Sequence, residues 1–210
     1  MIAKGTGFVK GKKQVAGKKL AYHLKYLQYR PRGSEETREQ RFFFNAAEDH
    51  VDRKMIQEEI MAHTSRAVSY HRFVLSPSQE EPILDWMEWT RAVMRDLEHY
   101  KGQALHWYAI HHTNTDDPHI HIVLAGSGED RQTGQPGPVK MLTKDKSPNG
   151  HDDWEFLRAR GREHSEYEHY QYLQETLKEL DREDMLPQQL HRSLTVQQHE
   201  QNSIHKGLER

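Results

Sequence analysis

Two histidines at alternate positions of an apolar segment, His119-Ile120-His121 running into Ile122-Val123-Leu124, are the residues of this chain best arranged for chemistry. In a strand, the two-residue period sends Ile120, Ile122 and Leu124 to one face and both imidazoles to the other. His112 lies seven residues before His119, at the end of a neighbouring apolar segment, and can close the third corner of a metal site. Ligands carried on strands lose little freedom when an ion binds, and three imidazoles suit zinc for hydrolysis or iron for oxygen chemistry. The plainer reading is coincidence, since 16 of 210 residues are His. The other thirteen have no comparable spacing and are expected at the surface or behind the ligands.

Tyr22, Tyr26 and Tyr29 form a second group, spaced four and three apart so that one helix carries them on one face. A phenol of pKa about 10 is a poor nucleophile at neutral pH, but a metal that polarises a phosphodiester makes its attack feasible. The alternative is three rings packed on a sheet. With no Cys in the chain, thiolate metal sites and disulfides are excluded.

The elements that must position these groups are legible in outline. Residues 18–30 have a helical period (Leu20, Leu24, Leu27) stopped by Pro31-Arg32-Gly33. The run 42–44 is a short buried strand or a plug, 49–62 is helical, and 66–75 reads as a strand closed by Ser76-Pro77. A long amphipathic helix follows Pro82 and ends at Lys101-Gly102. Segments 105–111 and 118–125, joined by the polar turn 113–117, predict an antiparallel pair. Residues 126–150 read as loop with room for one short hairpin at 139–142, 152–183 is helical, and the chain is polar and Gln-rich from Pro187.

The net charge of −2 conceals an asymmetry. Residues 1–32 carry nine Lys or Arg and no acid, leaving 21 basic and 32 acidic residues, a net −11, for the rest. Such a basic arm suits a protein that neutralises phosphates, although a solvated Lys-rich terminus would look the same. No apolar run approaches the roughly 18 residues of a membrane helix, and Met1-Ile2-Ala3-Lys4 does not open a signal peptide. A cytoplasmic protein without membrane insertion is expected.

Three ordered segments resemble one family. Residues 107–123, with His111-His112-Thr113-Asn114-Thr115-Asp116-Asp117-Pro118-His119-Ile120-His121, are similar to the third motif of HUH-type conjugative relaxases of the MobA class, which include the T-DNA border endonucleases. His23-Leu24-Lys25-Tyr26-Leu27 resembles the first motif, and His71-Arg72-Phe73-Val74-Leu75-Ser76-Pro77 the second. Two departures stand out: Gln28-Tyr29 precede the basic residues that usually follow the first motif, and His111 stands beside His112.

The resemblance implies an α+β fold, a central antiparallel sheet with helices on the far face. It implies a metal-dependent tyrosine transesterase that nicks and rejoins single-stranded DNA at an origin of transfer through a 5′-phosphotyrosine, initiating conjugative mobilisation of a plasmid or similar element. Tyr26 is then the nucleophile, and His112, His119 and His121 hold Mg²⁺ or Mn²⁺, although imidazoles alone favour softer metals. Ser76, Lys18, Lys19, Lys25, Arg30 and Arg32 would contact DNA, and Asp116 would orient a ligand from behind. The loop 126–150 and the C-terminal helix would close over the strand. Accessory DNA-binding and secretion-coupling proteins are the expected partners. Two other readings stay open: a three-His metalloenzyme acting on a small molecule, and a non-catalytic DNA-binding module of this fold. The expected organisation is a nuclease domain over 1–185 and a polar tail, 186–210, leading into a longer protein.

Overall fold

The alternating segment 119–125 is the central strand around which the rest is arranged. In the computed structural model, which describes residues 1–29, 41–78, 83–112 and 118–179, the chain forms two units, 1–166 and 167–210. The first contains β1 (Ile2–Val9), α1 (Lys13–Tyr29), β2 (Phe43–Phe44), α2 (Arg53–Ala62), β3 (Tyr70–Ser76), α3 (Trp86–Lys101), β4 (Gln103–Ala104), β5 (Trp107–His112), β6 (His119–Ala125), β7 (Ser127–Asp130), β8 (Pro136–Pro138) and a helical segment 153–166, α4. The second is described as far as residue 179 and is helical there. The predicted tail 186–210 lies outside the described residues.

Five strands pair antiparallel in the order β1-β3-β6-β5-β2, and β4-β7-β8 form a smaller sheet. Strand parity divides the core in two. Phe73, Leu75, Trp107, Ala109, Ile120, Ile122 and Leu124 meet Trp89, Val93, Met94 and Leu97 of α3 and Leu157 of α4 on the far face. On the near face Tyr108, Ile110, Val123 and Ala125 meet Leu20, Leu24 and Leu27 of α1 and Ile56 and Ile60 of α2. Each of those three α1 leucines is at most 1% exposed and contributes about 1.5–3 kcal/mol by leaving water. The fold is thus the α+β sheet expected, with α3 and α4 on the far face and α1 and α2 covering part of the near one.

Local signals account for most boundaries. Asp85 caps α3 by accepting from the N–H groups of Met87 and Glu88, and Gly102 ends it at φ 64°, a left-handed position that glycine occupies without steric cost. Asp52 caps α2, which therefore starts at Arg53 rather than at 49.

Three expectations need correction. Residues 1–9 are an edge strand paired with β3 rather than part of a basic arm, and α1 begins at Lys13. The Gly5-Thr6-Gly7 interruption, where the register shifts, hides the strand's alternation. The hairpin after β6 is β7–β8, not 139–142: Asp130 accepts from the backbone of Gln132 and Thr133, Gly134 adopts φ 69°, and the turn closes there. Val139 is buried in the far-face core, and Met141 packs against it. This stretch therefore lies on the side of the sheet away from the predicted ligands rather than over them.

Gly126, between β6 and β7, is where strand and hairpin pass closest to their neighbours. A Cβ there would sit 1.9 Å from the Val68 carbonyl oxygen and 2.9 Å from that of Ser69. Backbone cannot yield as a side chain does, so Gly126→Ala should cost about 2 kcal/mol or more. Thermal melting should show a fall of roughly 4–8 °C for a domain of this size.

Candidate metal and nucleophile site

Parity brings the three predicted ligands together. His119 and His121 leave β6 on the near face, and β5 is registered so that His112 lies opposite His119. Their ligand nitrogens all lie within 4.8 Å of one another, with His119 Nε2 3.2 Å from His121 Nε2. Nitrogens bonded to one ion at about 2.0–2.1 Å sit roughly 3 Å apart, so the donor set fits a single divalent cation. His111 points the other way and stacks on Trp86 at 4.0 Å between ring centres, and His112 is the one of the pair that joins the cluster.

His112 is 4% exposed, and its Nε2–H donates to the backbone carbonyl of Leu27, 2.9 Å away. That bond fixes the tautomer, so the lone pair available to a metal is on Nδ1. It also ties the last turn of α1 to the cluster. The acceptor behind His112 is thus a carbonyl of the helix that bears Tyr26. Asp116, expected in an orienting role, lies outside the described residues.

The three tyrosines separate in character. Tyr29 accepts a hydrogen bond from Arg53 at 3.3 Å, and its ring lies beneath that guanidinium at 4.8 Å. Tyr22 is 80% exposed and Tyr26 46%. Both line a groove of about 550 Å³ with Lys10, Lys19, His23 and Arg72. They do not pack flat on the sheet, because the near-face positions of α1 are filled by its leucines.

Ser76 follows Val74 on the near face of β3, in the row next to His119. It donates to the Pro118 carbonyl at 3.3 Å and helps to wall a second groove of about 550 Å³ that runs past His119 to Lys4 and Thr6 of β1. Lys18, Lys19 and Lys25 are exposed on α1. Arg30 and Arg32 lie outside the described residues. A cavity of about 530 Å³ between β1 and Trp154 contains none of the predicted site residues.

Two residues of the groove were not singled out for it by sequence. Arg72 faces the near side, and its Nε is buried without a hydrogen-bond partner among the described residues. The period-two reading that places Ser76 also places Arg72, two pairs of residues earlier on β3, and was the available signal. His23 is pushed down to about 4 by burial and by the Arg72 charge, so it is neutral at physiological pH and leaves the groove's charge to Arg72, Lys10 and Lys19. His71, by contrast, is buried on the far face against the Val139 carbonyl.

Among the described residues no helix is long and apolar enough to cross a membrane. No curated protein and no solved structure matches the chain. A family model for the relaxase nuclease domain, MobA/VirD2-like, matches residues 26–133, a span that opens on Tyr26 and contains all three candidate ligands. The match covers about half of the chain, and the chain belongs to the MobA/VirD2-like relaxase nucleases.

Proposed function

We propose that this domain nicks one DNA strand at an origin of transfer and rejoins it through a 5′-phosphotyrosine on Tyr26, with a cation held by His112, His119 and His121. The observation that carries the reading is the hydrogen bond from His112 to Leu27, which couples the nucleophile's helix turn to the ligand cluster. His112, His119 and His121 would hold that divalent cation, Mg²⁺ or Mn²⁺ by family habit, and when bound it would supply positive charge to stabilise the phosphate in the transition state. Tyr26 Oη forms a bond to phosphorus as the bond to the 3′-oxygen breaks. The phenolic proton passes to water, and the 3′-oxygen leaves as a hydroxyl after taking a proton from solvent. One phosphodiester replaces another, so the step is reversible and the same 3′-hydroxyl can reseal the strand.

Arg72 supports this reading, since it lines the Tyr26 groove and a guanidinium is suited to a phosphate oxygen. Ser76 and the groove past His119 would carry the strand to one side of the break. The test is a denaturing gel of the protein with labelled single-stranded origin DNA, with and without Mn²⁺. A metal-dependent covalent band is expected. Binding without a band would favour a non-catalytic DNA module, and no binding would favour small-molecule chemistry.

Affinity for single strands should fall steeply with salt, because each phosphate contact releases about 0.7 of a counterion. Lys10→Glu with Lys19→Glu should lower the slope of log affinity against log salt by roughly 1.4 and weaken all sequences alike. An unchanged slope in a filter-binding series would show that this groove does not follow the backbone.

A further inference from the structure

The cavity of about 530 Å³ behind β1 has no part in the chemistry above, yet it shares lining residues with both grooves that do. Phe8 and Arg72 also line the Tyr26 groove, and Lys4 also lines the groove beside His119. The Gly-Thr-Gly middle of the edge strand makes the passage between them. Gly5 is registered with Phe73 of the far-face core and Gly7 with Arg72 of the near face, with the register shift between them. A Cβ at Gly5 would come 2.9 Å from the Trp154 ring, and one at Gly7, where φ is 128°, would come 3.2 Å from Arg72 Nη2. The two glycines therefore let an indole and a guanidinium close on the same short stretch of backbone.

We propose that this cavity receives one unpaired nucleobase of the DNA strand bound in the Tyr26 groove, with Phe8 and Trp154 as its stacking partners. Phe8 is 54% exposed although it belongs to a paired strand, and Lys10 Nζ lies 5.0 Å from its ring centre. Trp154 is half-buried and packs edge to face on Phe73 at 5.7 Å, which holds the indole in place from the core side. Lys4, Arg72, Lys146 and Arg158 bring four cations to the same lining. The one carboxylate among them, Asp152, is engaged in capping α4, where it accepts from the N–H groups of Trp154 and Glu155. Aromatic faces interleaved with cations are the composition that binds single-stranded nucleic acid, the rings taking bases and the charges following phosphates.

The proposal rests on the reading of the domain as a nuclease for single strands and adds to it a base-binding pocket away from the scissile phosphate. The volume lies within the 300–1,000 Å³ usual for small-ligand sites, enough for a base and its sugar. Arg72 lines both the cavity and the Tyr26 groove, so its guanidinium stands where a strand would pass from one to the other. A base seated behind β1 fixes the register of the strand against Tyr26. The pocket thereby selects which phosphate meets the tyrosine, a role that the cations on α1, which follow the backbone of any sequence, cannot fill.

The test is metal-free binding, by fluorescence anisotropy, of single-stranded oligonucleotides spanning the nick site of the origin, each carrying one abasic position. With the full chain, one position within a few nucleotides of the nick should weaken binding about 5–100-fold when its base is removed, while its neighbours change little. In Phe8→Ser and in Trp154→Leu the intact oligonucleotide should bind more weakly, and the penalty at that position should shrink to about twofold or less, because base and ring act as a pair. Phe8 is exposed, so Phe8→Ser should melt near the parent and keeps the test independent of how Trp154→Leu folds. Equal penalties along the strand overturn the proposal, as does a single-position penalty that persists undiminished in both variants. A covalent band together with a flat abasic series removes the pocket alone, whereas failure to bind any of the oligonucleotides removes the nuclease reading with it.

Discussion

Tyr26→Phe should abolish the covalent protein–DNA band, a loss on the order of a thousandfold or more, while single-strand binding and melting temperature stay near those of the parent. The substitution removes the attacking oxygen and keeps a ring that is nearly half exposed, so little packing is lost. Tyr22→Phe and Tyr29→Phe should still form adduct. The Tyr29 hydroxyl is occupied by Arg53, and losing that exposed bond should cost about 1 kcal/mol of stability at most. Tyr22 lies one helical turn further from Leu27, the residue tied to His112. Peptide mapping of the adduct decides the matter: phosphotyrosine at Tyr29, or at Tyr167, Tyr170 or Tyr172, would sink the assignment.

What could be read in advance followed periodicity. Alternation in 119–125 gave both the strand and the shared face of His119 and His121, and the leucines at 20, 24 and 27 gave the buried side of α1. The same period separates His111 from His112 once β5 is known to run to residue 112, a boundary the sequence pattern set one residue short. Strand β1 escaped because its solvent side is mixed and its middle is Gly-Thr-Gly. The β7–β8 hairpin escaped because its strands contain Ser, Gly, Glu, Asp and Pro, and turn capping rather than hydrophobic alternation holds it. Groupings that depend on topology were not legible at all. His63 and His106 stack across 43 positions of sequence, and nothing local in either segment announces the other.

Charge around Tyr26 follows the same logic. Residues 1–32 looked like a free cationic arm, yet Lys4 and Lys10 belong to or flank an edge strand, and Lys18, Lys19 and Lys25 ride on a helix whose other side is core. Of these, Lys10 and Lys19 line the groove that Tyr26 lines, on backbone that belongs to or flanks regular elements. Arg72, from a different strand, adds a charge that the arm alone could not supply at that depth. Charges carried on fixed backbone pay less to meet a phosphate backbone than the same charges on a free arm would.

Removing ligands should divide the three histidines by stability while uniting them by activity. His119→Ala and His121→Ala each delete a half-buried ring, but the far side of β6 keeps Ile120 and Ile122, which are at most 1% exposed. Each variant should lose about 1 kcal/mol or less and bind single strands normally in the absence of metal. His112→Ala is different: it empties a position only 4% exposed and leaves the Leu27 carbonyl without its imidazole donor. That adds about 1–3 kcal/mol for an unsatisfied buried group and loosens the turn carrying Tyr26. Mn²⁺ titration followed by the denaturing gel should show adduct yield down at least about a hundredfold in all three variants. Thermal melting should single out His112→Ala. If His119→Ala or His121→Ala reacts at the parent rate across the titration, the cation does not sit among these residues; if all three melt alike, the His112–Leu27 bond does not hold the helix to the site.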